Sequence, residues 1–514
     1  MAEIIEKCLK RDLAGLYNCA CRDSWSKYGF GRNIAKVFGL DQEKVLPTSL
    51  AEAGFKARRG KDLRLNVGRL ERKLGERLPT MFDSLRRFHQ DRQRGLPGKI
   101  KKGAGGYLKA FYPERDMLNY GGQAIDQADI EAVVTVMKSP YLTQGAEISR
   151  FEEEIASYVG AQFGVAVSSG TAALHLACLA CDLGPGDEGV TSPITFLASA
   201  NAMAYCGATP RFADIDPHTY NMDPSRLEKR ITKRTRVVIP VHFAGQSCDM
   251  RKIREVVSRK EKLFGHKIFI IEDASHALGS LYRDQRVGCC EYADAAVFSF
   301  HPVKHITAGE GGMLVTNSRD LAERIRKLRS HGMTKDPDDF VNTDLAFSTD
   351  HSPNPWYYEQ VELGFNYRIT DIQCSLGRSQ LKKLEWFSER RRLIADKYNR
   401  AFAQLSPVTI PFEASECRSN FHLYVLQIEF DAMGLTRAAV MERLREENIL
   451  TQVHYVPVYL QPYYQRRFGE KLEHCPKAEE YYRRCLSLPF YPAMSEHDVG
   501  RVIEQICHQF GEKQ

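Results

Sequence analysis

What this 514-residue chain lacks narrows its function before any motif is considered. No apolar run approaches the ~20 residues needed to cross a bilayer, so no transmembrane helix and no membrane partner are expected. Glu3 and Glu6 interrupt the first apolar residues, and no signal peptide is expected. The 14 cysteines are scattered. Their nearest sets, Cys178-x-x-Cys181 and Cys289-Cys290, have no partnering Cys/His spacing for zinc, so no metal is expected. Buried free thiols in a reducing cytoplasm are the reading that remains. Residues 1–115 also lack a dinucleotide fingerprint. Gly29-Phe-Gly31 follows no strand, and Tyr28 has Arg32 four residues on, where a Tyr-x-x-x-Lys pair needs lysine. Hydride transfer by this segment is therefore not expected.

Acidic residues are short at one end. Residues 1–115 carry 26 Lys and Arg against 13 Asp and Glu, while the remainder carries 46 against 52. That asymmetry marks a boundary between modules. The basic end holds no recognition motif, so a solvated basic surface is expected and nucleic acid is not. Amphipathic helices are predicted at Tyr28–Leu40, Val67–Leu74 and Met81–His89. Residues 96–115 have the Gly/Lys composition of a flexible linker.

From Asn119 the texture changes to strands alternating with helices. Ile130–Met137, Phe151–Val159 and Met250–Leu263 have helical period. Gly164–Val167, Arg236–Val241, Ile268–Ile271, Ala295–Phe300 and Met313–Thr316 are short apolar β-runs. The fold class is α/β, a largely parallel sheet covered by helices. One long helix is predicted over Asp371–Phe402, followed by an α+β portion ending in a helix at Val499–Phe510. The domain reading is 1–95, a linker at 96–115, a large domain at 116–370 and a small domain at 371–514.

Four stretches carry chemistry. Phe298-Ser299-Phe300-His301-Pro302-Val303-Lys304 ends an apolar run in a lysine, followed by Gly309-Glu310-Gly311-Gly312. A lysine just beyond buried strands is desolvated, which frees its amine as a nucleophile, although most lysines are solvated surface residues. Ser168-Ser169-Gly170-Thr171 joins a strand to a helix, where backbone N–H groups meet an anion, or simply a Ser/Thr cap starts the helix. Ile271-Glu272-Asp273-Ala274-Ser275-His276 ends another strand in a carboxylate suited to a protonated ring nitrogen, with a capping role as the plain alternative. Thr195-Phe196 offers an aromatic face for stacking on a flat ring, as any core phenylalanine does.

The order of these stretches resembles fold-type I pyridoxal-phosphate enzymes, and in detail the DegT/StrS family of nucleotide-sugar aminotransferases, from about Asn119 to Cys507. The resemblance implies a mainly parallel seven-stranded sheet between helices, a smaller C-terminal α+β domain, and pyridoxal 5'-phosphate as cofactor. It implies that Lys304 carries the cofactor and moves the proton, that Asp273 pairs with the ring nitrogen, and that Phe196 and His276 flank the ring. Gly170, Thr171 and Ser299 would hold the phosphate. Asn366, in Gly364-Phe-Asn-Tyr-Arg-Ile-Thr-Asp371, would reach the phosphate of a neighbouring subunit, which implies a homodimer with shared sites. Separately, Gly15-Leu-Tyr-Asn18, Ser26-Lys-Tyr28, Ala57-Arg-Arg59, Leu65-Asn66 and Leu78-Pro-Thr80 resemble the C-terminal, substrate-side part of dTDP-4-dehydrorhamnose reductases, a partial short-chain-dehydrogenase-like segment.

Within the aminotransferase family, Ser139-Pro-Tyr-Leu-Thr-Gln-Gly145, Val241–Met250, Trp356-Tyr-Tyr-Glu359 and Gln452-Val-His-Tyr-Val-Pro457 resemble one branch. That branch comprises the UDP-4-amino-4,6-dideoxy-N-acetyl-β-L-altrosamine transaminases of pseudaminic acid synthesis. The implied reaction aminates C4 of a UDP-4-keto-6-deoxy-N-acetylhexosamine with glutamate as donor. Three alternatives stay open: a dTDP- or GDP-4-keto-6-deoxyhexose as substrate, a dehydratase of the same fold, and a non-catalytic scaffold in a nucleotide-sugar pathway. Dehydratase relatives replace the lysine, and Lys304 is present. Two departures from the family pattern stand out. Gly122 occupies a position where Arg or Lys is usual, and Asp336–Asn354 forms a long polar insertion.

Overall fold

The computed structural model describes residues 117–469 and 474–511, with Lys36 in addition. The chain divides into two units, Met1–Arg115 and Asp116–Gln514, and the architecture below is that of the second. Of the helix expected at Tyr28–Leu40 only Lys36 is described, and it is helical. The helices expected at Val67–Leu74 and Met81–His89 and the linker at 96–115 lie outside the described residues.

Helices α1 (Gln127–Met137) and α2 (Ala146–Val159) open the unit. Asp126 starts α1 by accepting from the Asp129 backbone, and the Asp129 carboxylate reaches back to the Asp126 N–H, so two otherwise orphaned donors are satisfied. The alternating pattern follows: β1 (Phe163–Val167), α3 (Gly170–Ala180), β2 (Glu188–Thr191), α4 (Ala198–Tyr205), β3 (Thr209–Phe212), α5 (Pro224–Arg230), β4 (Thr235–Ile239), α6 (Met250–Phe264) and β5 (Phe269–Asp273). Strands β6 (Ala295–Ser299) and β7 (Gly312–Thr316) and helix α7 (Arg319–Arg329) complete the layer.

The seven strands form one sheet in the order β1-β7-β6-β5-β4-β2-β3. β7 is antiparallel to both neighbours, β1 and β6, and the remaining pairings are parallel. Helices cover both faces, so the central strands are largely apolar. Val165, Val167, Val237, Ile239, Ile271, Val297 and Leu314 belong to one buried cluster, while Ala166, Ala296, Phe298, Met313 and Val315 belong to another. Each such side chain contributes about 1.5–3 kcal/mol when fully buried, apart from the small alanines.

The single long helix expected over Asp371–Phe402 is two helices, α8 (Asp371–Leu381) and α9 (Leu384–Phe402). No proline or glycine marks the break. Lys383, at φ −107°, stands at the junction as the residue before α9. Its ammonium is drawn to Asp129 at 2.6 Å and Asp126 at 2.9 Å on α1. The junction thus coincides with an ion pair to a segment about 250 positions away, and periodicity carries no trace of such a contact. Beyond it, β8 (Val408–Thr409), β9 (Val425–Ile428), α10 (Arg437–Glu446), α11 (Pro462–Phe468), α12 (Pro476–Arg484), β10 (Cys485–Ser487) and α13 (Glu496–Phe510) form the C-terminal portion. Strands β8, β9 and β10 make an antiparallel sheet in the order β8-β9-β10, packed with α9 and α13 around Tyr398, Phe402, Tyr424 and Phe490. In the polar insertion, the Glu359 carboxylate accepts from the backbone of Val341 at 2.8 Å and Asn342 at 2.6 Å.

One glycine sets how closely the sheet approaches the loop after β1. Gly312 stands between Val167 of β1 and Ser299 of β6. A Cβ there would lie 2.4 Å from the Ser169 carbonyl, closer than any side chain is tolerated. Gly312→Ala is expected to push the 168–171 turn outward and destabilise the unit by ~1–3 kcal/mol, as overpacking does. Urea unfolding of the two proteins side by side checks it, and equal stability would mean that the turn yields freely.

Candidate active site

The carboxyl ends of five strands meet around one cavity of about 870 Å³, where a doubly wound sheet places ligands. The loop after β1 contributes Ser168, Ser169, Gly170 and Thr171; β2 leads to Thr195 and Phe196, β4 to Val241, β5 to Asp273, and β6 to Ser299 and Lys304. The C-terminal portion closes the far side with His422, Gln452, Val453, His454 and Tyr455.

Each wall is fixed for a local reason. The Ser169 hydroxyl caps α3 by accepting from Ala172 N at 3.1 Å, so the free N–H groups of the first turn face the cavity. A Cβ on Gly170 would stand 3.0 Å from the Ser299 side chain, and this is why the turn presses against the end of β6. Asp273 is 5% exposed. Its backbone is tied to β4 on both sides, donating to Pro240 O at 2.8 Å and accepting from His242 N at 3.1 Å. One carboxylate oxygen accepts from Ser199 Oγ at 2.6 Å and the other from Ser275 N at 3.2 Å. Behind it, buried His242 bonds Glu272 at 3.0 Å.

Lys304 lines the cavity. Burial lowers its pKa to about 8, against the pull of the Asp273 charge in the other direction. Burial holds His276 well below the usual imidazole range, with the charges of Lys304, His454 and His305 adding to the effect. The Ala244 N–H donates to His276 Nδ1 at 3.3 Å. The ring proton of neutral His276 therefore sits on Nε2, facing the Tyr455 hydroxyl at 3.4 Å. His422 packs on the other side of His276, with ring centroids 4.3 Å apart. His454 is lowered to about 3 by burial and then by Lys304. Neutral imidazoles thus surround the amine.

Of the residues singled out from sequence, Lys304, Asp273, His276, Gly170, Thr171, Phe196 and Ser299 all line this cavity. Phe196 stands at its mouth, 60% exposed, with its ring 6.4 Å from that of Tyr455. Asn366 is not brought to the cavity. It is exposed, in a segment bridged to Ser330, although the neighbouring Tyr367 carbonyl accepts from Ser168 N at 2.8 Å. Gly122 lies near Pro302 and Lys304 in a separate small hollow. Sequence reasoning gave no individual role to Ser199, His422, His454 or Tyr455. His454 and Tyr455 lie within the Gln452–Pro457 stretch quoted for its resemblance, and Ser199 carried a local signal, a hydroxyl one helical turn after Thr195.

Three features suit a phosphorylated, nitrogen-containing aromatic aldehyde: unpaired N–H groups at the α3 N-terminus, a buried carboxylate at the opposite strand end, and an amine of lowered pKa. Lys304 is the handle for a test. With a pKa of about 8 its amine becomes neutral as pH rises through that value, so its labelling by an amine-reactive reagent in the apoprotein should rise to a plateau above pH 8. Peptide mapping reads this directly. A rise delayed to near 10.5, the ordinary lysine value, would show the amine to be solvated.

Comparison with known proteins agrees with this geometry. Residues 123–507 match the DegT/DnrJ/EryC1/StrS aminotransferase family, and residues 1–94 match the RmlD substrate binding domain. The spore coat polysaccharide biosynthesis protein SpsC of Bacillus subtilis is 43% identical over 390 residues, covering 76% of this chain and 96% of its own. Helicobacter pylori PseC, an aminotransferase involved in the biosynthesis of pseudoaminic acid, superposes with a TM-score of 0.68 at 31% identity, covering 77% of this chain and 99% of its own. The putative sugar aminotransferase Spr1654 of Streptococcus pneumoniae, in its PLP form, gives 0.67 at 30% identity over 76% of this chain and 97% of its own. The chain belongs to the DegT/DnrJ/EryC1/StrS aminotransferase family and is a pyridoxal-phosphate-dependent sugar aminotransferase of fold type I.

Proposed function

We propose that the enzyme transfers an amino group from glutamate to C4 of a UDP-4-keto-6-deoxy-N-acetylhexosamine, in a pathway of the pseudaminic acid type. The observation that carries the reaction class is the convergence of Lys304, Asp273 and the α3 N-terminus on one cavity. Likeness to the Helicobacter pylori aminotransferase supports the choice of sugar.

Pyridoxal phosphate, when bound, takes up the electrons of the bond broken at the substrate carbon. The chain's residues do the rest. The first-turn N–H groups of α3, with Gly170, Thr171 and Ser299, hold the phosphate. Phe196 and His276 would flank its ring, and Asp273 would face the ring nitrogen and favour its protonated form. Lys304 would hold the cofactor, and its amine, neutral above a pKa of about 8, would move the proton. The His422, Gln452 and His454 side of the cavity is left for the sugar.

Two measurements test this reading. The loaded enzyme is incubated with glutamate and a panel of UDP-, dTDP- and GDP-4-ketosugars, and products are identified by NMR. The expected result is a 4-amino sugar from the UDP-N-acetyl substrate, with Lys304→Ala slower by ~10³-fold or more, about 4 kcal/mol in the barrier. Preference for a dTDP or GDP sugar would overturn the substrate assignment, and an active Lys304→Ala protein would overturn the role of the lysine.

The second concerns the subunit arrangement. Asn366 is exposed and away from its own protomer's cavity, which supports a dimer in which it serves the partner's phosphate site. Asn366→Ala is expected to lose cofactor on desalting while the dimer persists in sedimentation. A fully active monomer at micromolar concentration would contradict it.

A further inference from the structure

Behind the cavity wall, three side chains form a hydrogen-bonded line. Thr195 Oγ1 lies 2.7 Å from Ser199 Oγ, and Ser199 Oγ lies 2.6 Å from Asp273 Oδ2. All three are buried, with Ser199 at 0% exposure. Thr195 and Asp273 line the cavity whereas Ser199 does not, so Ser199 has no access to a bound ligand.

Counting protons fixes the direction of the line. A carboxylate oxygen only accepts, so the single Ser199 hydroxyl proton points to Asp273. Ser199 is then an acceptor toward Thr195, and Thr195 must donate. Reversing the line would set a Ser199 lone pair against a carboxylate oxygen at 2.6 Å. The order is therefore Thr195 to Ser199 to Asp273, with each donor polarising the next. The Ser275 N–H holds the other oxygen, Oδ1, at 3.2 Å. Rotation of the carboxylate is blocked at both oxygens, and each oxygen keeps a lone pair for a cation in the cavity.

The line also joins two functions. Thr195 immediately precedes Phe196, the aromatic at the cavity mouth, and Ser199 sits in the first turn of α4. The loop that presents the stacking ring thus ends, through two hydroxyls, on the carboxylate.

We infer that Thr195 and Ser199 are positioning residues that orient Asp273 and hold it as the anionic partner of a protonated ring nitrogen, and that they tie this partnership to the placement of Phe196. The inference rests on the assignment of Asp273 to the ring nitrogen under the proposed function. Neither hydroxyl is expected to touch the sugar.

The test uses the full-length enzyme loaded with pyridoxal phosphate and four variants: Ser199→Ala, Thr195→Val, Thr195→Ser and Asp273→Asn. Three quantities are read: the rate of the half-reaction with glutamate alone, the pH midpoint of the visible cofactor absorbance, and the apoprotein's affinity for pyridoxal phosphate. Ser199→Ala should slow the half-reaction by roughly 10- to 100-fold, the range for a lost hydrogen bond to a charged group. The absorbance midpoint should move by about one pH unit, while KM for glutamate changes little. Thr195→Val, which keeps the shape and loses the hydroxyl, should move rate and midpoint in the same direction by less, and Thr195→Ser should restore both. A Ser199→Ala protein with unchanged rate and spectrum overturns the inference, as does Thr195→Ser behaving like Thr195→Val, because packing alone would then explain the loss. Should Ser199→Ala fail to fold, the Thr195 pair still decides. If Asp273→Asn reacts at full speed, the assignment of Asp273 itself fails. A slow Asp273→Asn beside fast hydroxyl variants overturns this inference alone.

Discussion

A carboxylate buried at the end of a parallel strand is the constraint on which the rest of this site depends. Asp273 is tied through its backbone to β4 and through both carboxylate oxygens to Ser199 and Ser275. Removing a charge from water is costly unless hydrogen bonds and a counter-charge replace the solvent. The surrounding protein supplies the hydrogen bonds. A cation in the cavity is the counter-charge the arrangement calls for, the Lys304 ammonium or, with a cofactor bound, a protonated ring nitrogen. The helix N-terminus across the cavity imposes the opposite demand, since its unpaired N–H groups favour an anion. A ligand that is anionic at one end and cationic at the other satisfies both, which is the charge pattern of pyridoxal phosphate with its ring nitrogen protonated.

The same environment sets the state of the amine. Burial lowers Lys304 to about 8, and the three imidazoles of His276, His422 and His305 are each held well below their usual range by burial first. A cluster of neutral rings beside the lysine adds no charge that would have to be displaced when substrate enters. Within the C-terminal portion, the buried Arg391 fixes the segment that carries His422 by donating to the carbonyls of His422 at 3.1 Å and Phe490 at 3.0 Å.

Much of this was legible in the residue order because sheet burial and strand ends leave local marks. The apolar runs at Phe163–Val167, Phe269–Asp273 and Ala295–Ser299 are short, flanked by polar turns, and each ends in a residue that lines the cavity or leads into one that does. What local patterns do not encode is contact across long separations. The reversal of β7 between β1 and β6 is one such case, because an antiparallel and a parallel buried strand have the same apolar texture. The break at Lys383, where the side chain pairs with Asp126 and Asp129 at the start of α1, is another. His422, His454 and Tyr455 reach the cavity from the C-terminal portion; the resemblance marks the stretch holding His454 and Tyr455, but only folding brings all three to the cavity that Lys304 lines.

The central claim, that Lys304 is the residue to which the cofactor is attached, is tested most directly by reducing the loaded enzyme with borohydride and mapping its peptides by mass spectrometry. The account predicts one phosphopyridoxyl group, carried on the peptide that contains Lys304. A label on a different lysine, or none on a protein that still transaminates, would contradict it.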